Sequence, residues 1–448
     1  MRIKALFSLA VLGYAGLALA QATPAQNVVV EERKSETVTV VVKETPKPPA
    51  FVFELHGFTS VSMYVQDANF AVGTTPATGQ QGLNIIRNWT TDKLLLGADI
   101  RQTRLNFSVA GPQILGGATP KAVVEVDFFG GDSAGGFGDV SIFPRIRTAY
   151  TELKWANTTL QFGQQNMLTI GLIPQSLRGT AFPMTYTAGT VGWRQPGIWG
   201  YHTFGGDTKF EFAWSVQQAG WSNTALADGY RAGVASGVPA VEARGKLMMG
   251  KLLDIWMSGH WQQVDRNGPG KPEDAKNWST LTTALGVFGF KLDTGMLVLQ
   301  GSAWYGKNAA PLLGNIIQFP SYTASTPTSP QANPSRVDIF GYGAWGQLGL
   351  NFSKELSLWY TIGIDHPLYE AIFAAGLNVM RNLNQVVMAR YQTGNFAMGM
   401  EYLYSRTTWN KENQTAGVYN GTSNTNAQIA KNNVLTGNQL TASFNYYF

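Results

Sequence analysis

Two arginines, Arg178 and Arg194, stand in the segment MLTIGLIPQSLRGTAFPMTYTAGTVGWRQP at 167–196, which contains no Asp or Glu. Guanidinium groups with no carboxylate beside them in the chain attract anions, so the chemistry this segment offers is electrostatic selection. Upstream, Arg104, Glu125, Asp127, Glu152 and Lys154 fall on alternate positions of short amphipathic runs, with Arg101, Arg145 and Arg147 close by and of undecided phase. Glu242, Arg244, Lys246, Arg390 and Glu401 continue the mixture. Such charges read either as cross-strand ion pairs that solvate a wall or as a charged strip at a narrow point. The candidate constriction is Arg178 and Arg194, with Arg104, Arg145 and Arg147 as wall partners beside Glu125 and Asp127.

Bond-making chemistry finds no support. The 4 His residues, His56, His202, His260 and His366, lie on separate segments without the close spacing of a metal site. No Gly-x-Ser-x-Gly elbow and no phosphate-cradling glycine loop occurs. Neither an enzyme, a metal nor a cofactor is implied. Trp89, Trp193, Trp199 and Trp221 lie in or beside long polar links, where they could stack sugars. Trp155, Tyr446 and Phe448 read as interface aromatics.

The elements that must hold these charges alternate with a period of two. In the closing run LTASFNYYF, Leu440, Ala442, Phe444, Tyr446 and Phe448 interleave with polar residues. The same alternation recurs at Leu105 to Val109, Ala122 to Phe128, Phe210 to Val216, Leu356 to Ile364 and Phe396 to Tyr404. The segments total about sixteen strands, each of the roughly 9 to 11 residues that a tilted membrane strand needs. Links at 67–93, 130–143, 167–196, 219–240, 265–278, 307–335, 366–376 and 407–434 are long, whereas those between are short apart from 111–121. Long links on one side and short turns on the other describe an all-β transmembrane antiparallel barrel. A barrel of that size has an aqueous lumen. The third long link, rich in apolar groups, is expected to fold inward and narrow it.

Residues 1–20 carry a basic start, an apolar core and an Ala-Leu-Ala site, so they read as a signal peptide with the mature chain starting at Gln21. Residues 21–50 form a Val-rich, charge-balanced periplasmic extension with a Pro-rich exit, a candidate partner-binding tail, and 51–448 is the barrel. No run after the signal is long and apolar enough for a spanning helix. Cleavage lowers the formal charge from +5 to about +3, too little to suggest nucleic-acid binding. Mean hydropathy of −0.08 matches soluble proteins, as expected when inward polar residues dilute a lipid-facing set. With no Cys there is neither a disulfide framework nor a lipidated cysteine.

The stretches ADIRQTRLNFSVAGP, AVVEVDFFG, PRIRTAYTELKWANTTLQFGQQN and LIPQSL resemble the DcaP-like and porin O/P-type outer-membrane porins over about 97–177. That resemblance implies a homotrimer of barrels with an infolded third loop that passes small anionic solutes. The chain departs from it twice: Val28 to Lys43 favours strand over a coiled coil, and the infolded candidate bears arginines and no lysine. The expectation is a passive porin in the bacterial outer membrane, surrounded by lipid and passing small hydrophilic, mainly anionic solutes. The alternatives are a substrate-specific channel for sugars or dicarboxylates, and an adhesin or envelope-structural barrel.

Overall fold

The computed structural model describes residues 28–31, 39–42, 51–72, 75–76, 84–130, 132–134, 140–220, 232–265, 280–319, 338–370, 379–409 and 434–448. The chain divides into two units, Met1–Ala50 and Phe51–Phe448. Within the first, Val28–Glu31 and Thr39–Val42 pair antiparallel, as runs of β-branched residues favour. The expected signal peptide and the Pro-rich exit lie outside the described residues.

The second unit is a closed antiparallel barrel of sixteen strands. They are β1 Val52–Val72, β2 in two pieces Ile85–Asp99 and Arg104–Ala110, β3 Thr119–Asp127, β4 Arg145–Lys154, β5 Thr158–Asn166 and β6 Arg194–Gly205. Next come β7 Thr208–Gln217, β8 Ala240–Met249, β9 Leu253–Asp265, β10 Thr280–Asp293 and β11 Leu297–Lys307. The circuit ends with β12 Phe340–Asn351, β13 Leu356–Pro367, β14 Val379–Thr393, β15 Phe396–Trp409 and β16 Val434–Tyr447. Both pieces of β2 pair with β1, and β16 closes onto β1 with Asn445 opposite Ser60. Closure leaves no unpaired edge for lipid to meet. No helix among the described residues is long and apolar enough to cross a membrane.

Side-chain alternation sorts the two faces. On β16, Leu440, Phe444 and Tyr446 are exposed on the outside, while Gln439, Thr441, Ser443 and Asn445 are buried within. The strands are joined by short turns at one end and long links at the other, the asymmetry that puts the turns in the periplasm. The first long link is shorter than the alternation implies, since β1 runs to Val72 and β2 begins at Ile85. Its strand ends were hidden because their apolar residues face inward. Ala68, Phe70, Ile85 and Ile86 pack inside the barrel with Met184, Ile316, Val386, Leu403 and Trp409.

The third link, 167–193, runs around the inner wall. Leu168 N donates to Glu242 Oε2 on β8 at 2.6 Å, and Gln175 N donates to Gln347 Oε1 on β12 at 2.8 Å. Leu177 N and Arg178 N donate to Glu401 Oε1 on β15 at 2.6 and 2.8 Å. Further on, Arg104 Nη2 on β2 donates to Thr180 O at 2.6 Å, and Asn384 Nδ2 on β14 donates to Met184 O at 3.0 Å. A segment bonded to strands on opposite sides of a barrel lies in its interior. Two wall glycines let it seat closely: a Cβ on Gly363 would meet Ala188 O at 2.1 Å, and one on Gly343 would meet Gly189 Cα at 3.0 Å. Apolar burial of Met167, Leu177, Met184 and Val191 drives the segment in, and its backbone donors find wall acceptors there.

Candidate functional site

Where β2, β3 and β4 meet the infolded segment, three arginines converge on two carboxylates. Arg145 is bidentate on Asp127, Nε to Oδ1 at 2.9 Å and Nη2 to Oδ2 at 2.6 Å. Arg147 donates Nε to Glu125 Oε1 at 2.7 Å and Nη1 to Asp127 Oδ2 at 2.9 Å. Arg104 Nε lies 3.8 Å from Glu125 Oε1. Two arginines can share Asp127 because of a β-bulge. Ile146 pairs with Val126 and Thr148 with Glu125, so Arg147 is the extra residue that the bulge aims inward. Alternation alone left this phase undecided.

The cluster carries one more positive than negative group, and Arg194 lies close enough to feel the charges of Arg147 and Arg145. Aromatic faces cover it. Phe182 and Trp193 stack with ring centres 5.6 Å apart; the Arg145 guanidinium sits 4.8 Å from the Phe182 ring and that of Arg194 4.2 Å from Trp193. Aromatic quadrupoles hold cations without neutralising them, so the surplus charge survives. Arg145 retains 22 % of its side-chain exposure, against 8 % for Arg147 and none for Asp127. Arg104 and Glu125 each keep 19 %, so two of the three partly exposed groups are cationic.

The sequence-derived residues divide between two places. Arg104, Glu125, Asp127, Arg145 and Arg147 come together as one network, with Arg194 beside it. Arg178 does not join them. It is 2 % exposed, and its guanidinium donates to Asn84 Oδ1 at 3.2 Å and to the Met184 sulfur at 3.1 Å. Burial pulls its pKa down to about 10, while the Glu401 charge opposes that fall, so it stays cationic at neutral pH. Its charge is spent on seating the segment. The expectation that Arg178 leads an unbalanced positive field thus gives way to a buried guanidinium on neutral acceptors, within the field of Glu401.

Glu401 and Glu242, read from the sequence as part of the mixed wall charge and not as constriction residues, hold the infolded segment. Glu401 accepts from Ser176 Oγ, Leu177 N and Arg178 N; Glu242 accepts from Leu168 N, Thr169 Oγ1, Gln217 Nε2 and His260 Nδ1. Each is a clamp on the infolded segment. A signal for Glu401 existed, because its cross-strand neighbours Met388 and Thr441 offer no cation. Of the loop aromatics, Trp193 belongs to the arginine cluster and Trp199 is fully buried on the inner face of β6, so neither is a lipid-interface residue. Trp155 lies at a short turn, its indole donating to Leu115 O at 3.1 Å, and Tyr446 and Phe448 are exposed on the outside. The side chains of Trp89 and Trp221 lie outside the described residues.

The histidines have separate surroundings: His260 faces Glu242, His366 stacks on Tyr342 and His202 packs edge-on to Phe204. Among the described residues no group of His, Cys, Asp or Glu has the geometry of a metal site.

Neither a family model nor a curated protein matches the sequence. Solved structures do match the fold. The outer membrane channel DcaP of Acinetobacter baumannii superposes with a TM-score of 0.63 at 15% identity, over 89% of this chain and 97% of that one. The fold is that of the outer-membrane porins. A second porin, described as anion-selective, from Comamonas acidovorans, superposes with a TM-score of 0.52 at 11% identity, over 89% of this chain and all of that one. Within the porin fold, the resemblance read at 97–177 falls on β2 to β5 and the start of the infolded segment, the elements that build the arginine network. The chain has the barrel fold of the bacterial outer-membrane porins.

Proposed function

We propose that this chain is a passive porin for small hydrophilic anions. Solutes diffuse through the water that remains between the infolded segment and the charged wall of β2 to β10, past the cluster of Arg104, Arg145, Arg147, Glu125 and Asp127. The observation that carries this reading is the surplus of guanidinium groups over carboxylates, three to two, with Arg145 and Arg104 both partly exposed. In a narrow, low-dielectric passage, a fixed excess of one sign raises the local concentration of counter-ions. The anion-selective neighbour supports the same preference.

In this reading residues 1–20 direct export, lipid surrounds the barrel, the 21–50 tail faces the periplasm with a partner there, and three copies associate. Light scattering in detergent reads the last point directly. The test of the function is the reversal potential of reconstituted channels in a potassium chloride gradient. Wild type is expected to reverse toward the chloride potential, and Arg145→Ala with Arg147→Ala to lose most of that preference. Cation preference in the wild type defeats the anion reading. The same potential in both proteins removes the cluster from it.

A further inference from the structure

At the short-turn mouth, away from the arginine cluster, a cavity of about 480 Å³ opens among the turns after β10, β12 and β14. Its polar wall is made by Arg390 and Gln392 near the end of β14, Lys354 in the turn before β13 and Asn351 at the end of β12. Met296 and Trp359 supply an apolar side. Arg390 stands opposite Ser357 on the inward face of its strand. Apart from Asp365 and Glu401 it is the one inward charge on the described parts of β11 to β16.

Three features describe this arginine, the second shared with Arg104 of the cluster. Its Nη2 donates to the neutral amide oxygen of Gln392, so no carboxylate neutralises it. Its Nε is buried and has no acceptor. The one acid of the cavity, Glu355, is turned back onto its own turn, accepting from Ser353 Oγ at 2.8 Å. Two cations therefore face one engaged carboxylate. A guanidinium short of an acceptor, in a cavity with a second ammonium group, is built to receive the oxygens of an anion.

We propose that Arg390, Lys354 and Gln392 form an oxyanion-binding station at the periplasmic mouth, where a permeating carboxylate or phosphate pauses before release. The apolar side at Met296 and Trp359 admits a small organic body attached to the anionic group. The inference rests on the anion-porin reading and adds a second station to it. Conduction through successive weak sites is faster than release from one strong site.

The test measures block of chloride current by inorganic phosphate in planar bilayers holding channels of one orientation. Phosphate added on the short-turn side is expected to block the wild type, and Arg390→Gln to raise the half-blocking concentration about tenfold, the worth of one charge-assisted hydrogen bond. Lys354→Gln, on an exposed turn that the fold does not depend on, is expected to raise it about threefold, and it decides the matter if Arg390→Gln fails to assemble. Absence of block from that side, or equal block in wild type and both variants, overturns the station. If those results accompany wild-type chloride preference, the station alone fails; wild-type cation preference overturns the station and the porin reading together.

Discussion

The two halves of the barrel wall solve opposite problems. From β2 to β10 the inner face is crowded with charge: Arg104, Glu125, Asp127 and Arg147, then Glu152, Glu211 paired with Arg244 at 2.9 Å, and Lys246 paired with Asp254 at 2.9 Å. From β11 to β16 the inner face is, apart from Asp365, Arg390 and Glu401, amide, hydroxyl and apolar, with Gln300, Gln347, Thr361, Asn384, Ser405 and Thr441 all buried. Most ion pairs of the first half keep a partly exposed member, as charges require when water is their solvent, Glu242 with His260 being the buried exception. The second half surrenders its surface to the infolded segment and to the apolar cluster around Phe70 and Trp409. A wall of neutral groups can be covered cheaply, whereas a wall of charges cannot. Chemistry along the wall thus decides where the segment lies, and water is left to run off-centre.

Disrupting the covered half should have the largest effect. Glu401→Ala removes the acceptor of Ser176 Oγ, Leu177 N and Arg178 N and leaves those donors unpaired, at about 1–3 kcal/mol each from the local seating. The barrel strands do not depend on it, so heat-modifiable mobility in SDS should persist while single-channel conductance rises. Wild-type conductance would show that Glu401 is not a clamp.

On the charged half, Asp127→Asn withdraws the carboxylate shared by Arg145 and Arg147, and the reversal potential should move further toward chloride. A shift toward potassium would mean that the cluster does not set the sign. Gln347→Leu breaks a paired amide contact, Gln175 N to Oε1 at 2.8 Å and Nε2 to Gln175 O at 2.9 Å. That costs about 1–2 kcal/mol and should register as greater open-channel noise at unchanged mean current. Smallest of all, Lys246→Ala removes a part-exposed pair worth about 0–1 kcal/mol, so channel formation and unfolding temperature should match wild type.

The same contrast explains what the sequence could disclose. Outward strand faces were legible, since Phe210, Phe212, Trp214 and Val216 meet lipid and alternate with residues that do not. Segments that break this rule were not. Phe70 and Ile86 are apolar and inward, so alternation misplaced the ends of β1 and β2. Arg147 sits at a bulge, which shifts phase by one residue without a compositional mark. Arg178 looked like an exposed charge because the residues that bury it, Asn84 and Met184, carry no compositional mark. The inward turn of the third link was legible from its apolar content; its route around the wall depends on which distant strands carry lone acceptors.

The off-centre passage is open to one direct measurement, which the absence of native Cys makes clean. Single cysteines placed at Glu152, Arg244 and Lys246 on the charged half, and at Asn384, Ser405 and Thr441 on the neutral half, would be exposed to a negatively charged, water-soluble thiosulfonate during current recording. Rapid modification with a drop in current at the first three, and none at the last three, is the predicted result. Equal modification rates around the whole circumference would contradict it, because water would then fill the barrel evenly and the segment at 167–193 would not be seated where it is described.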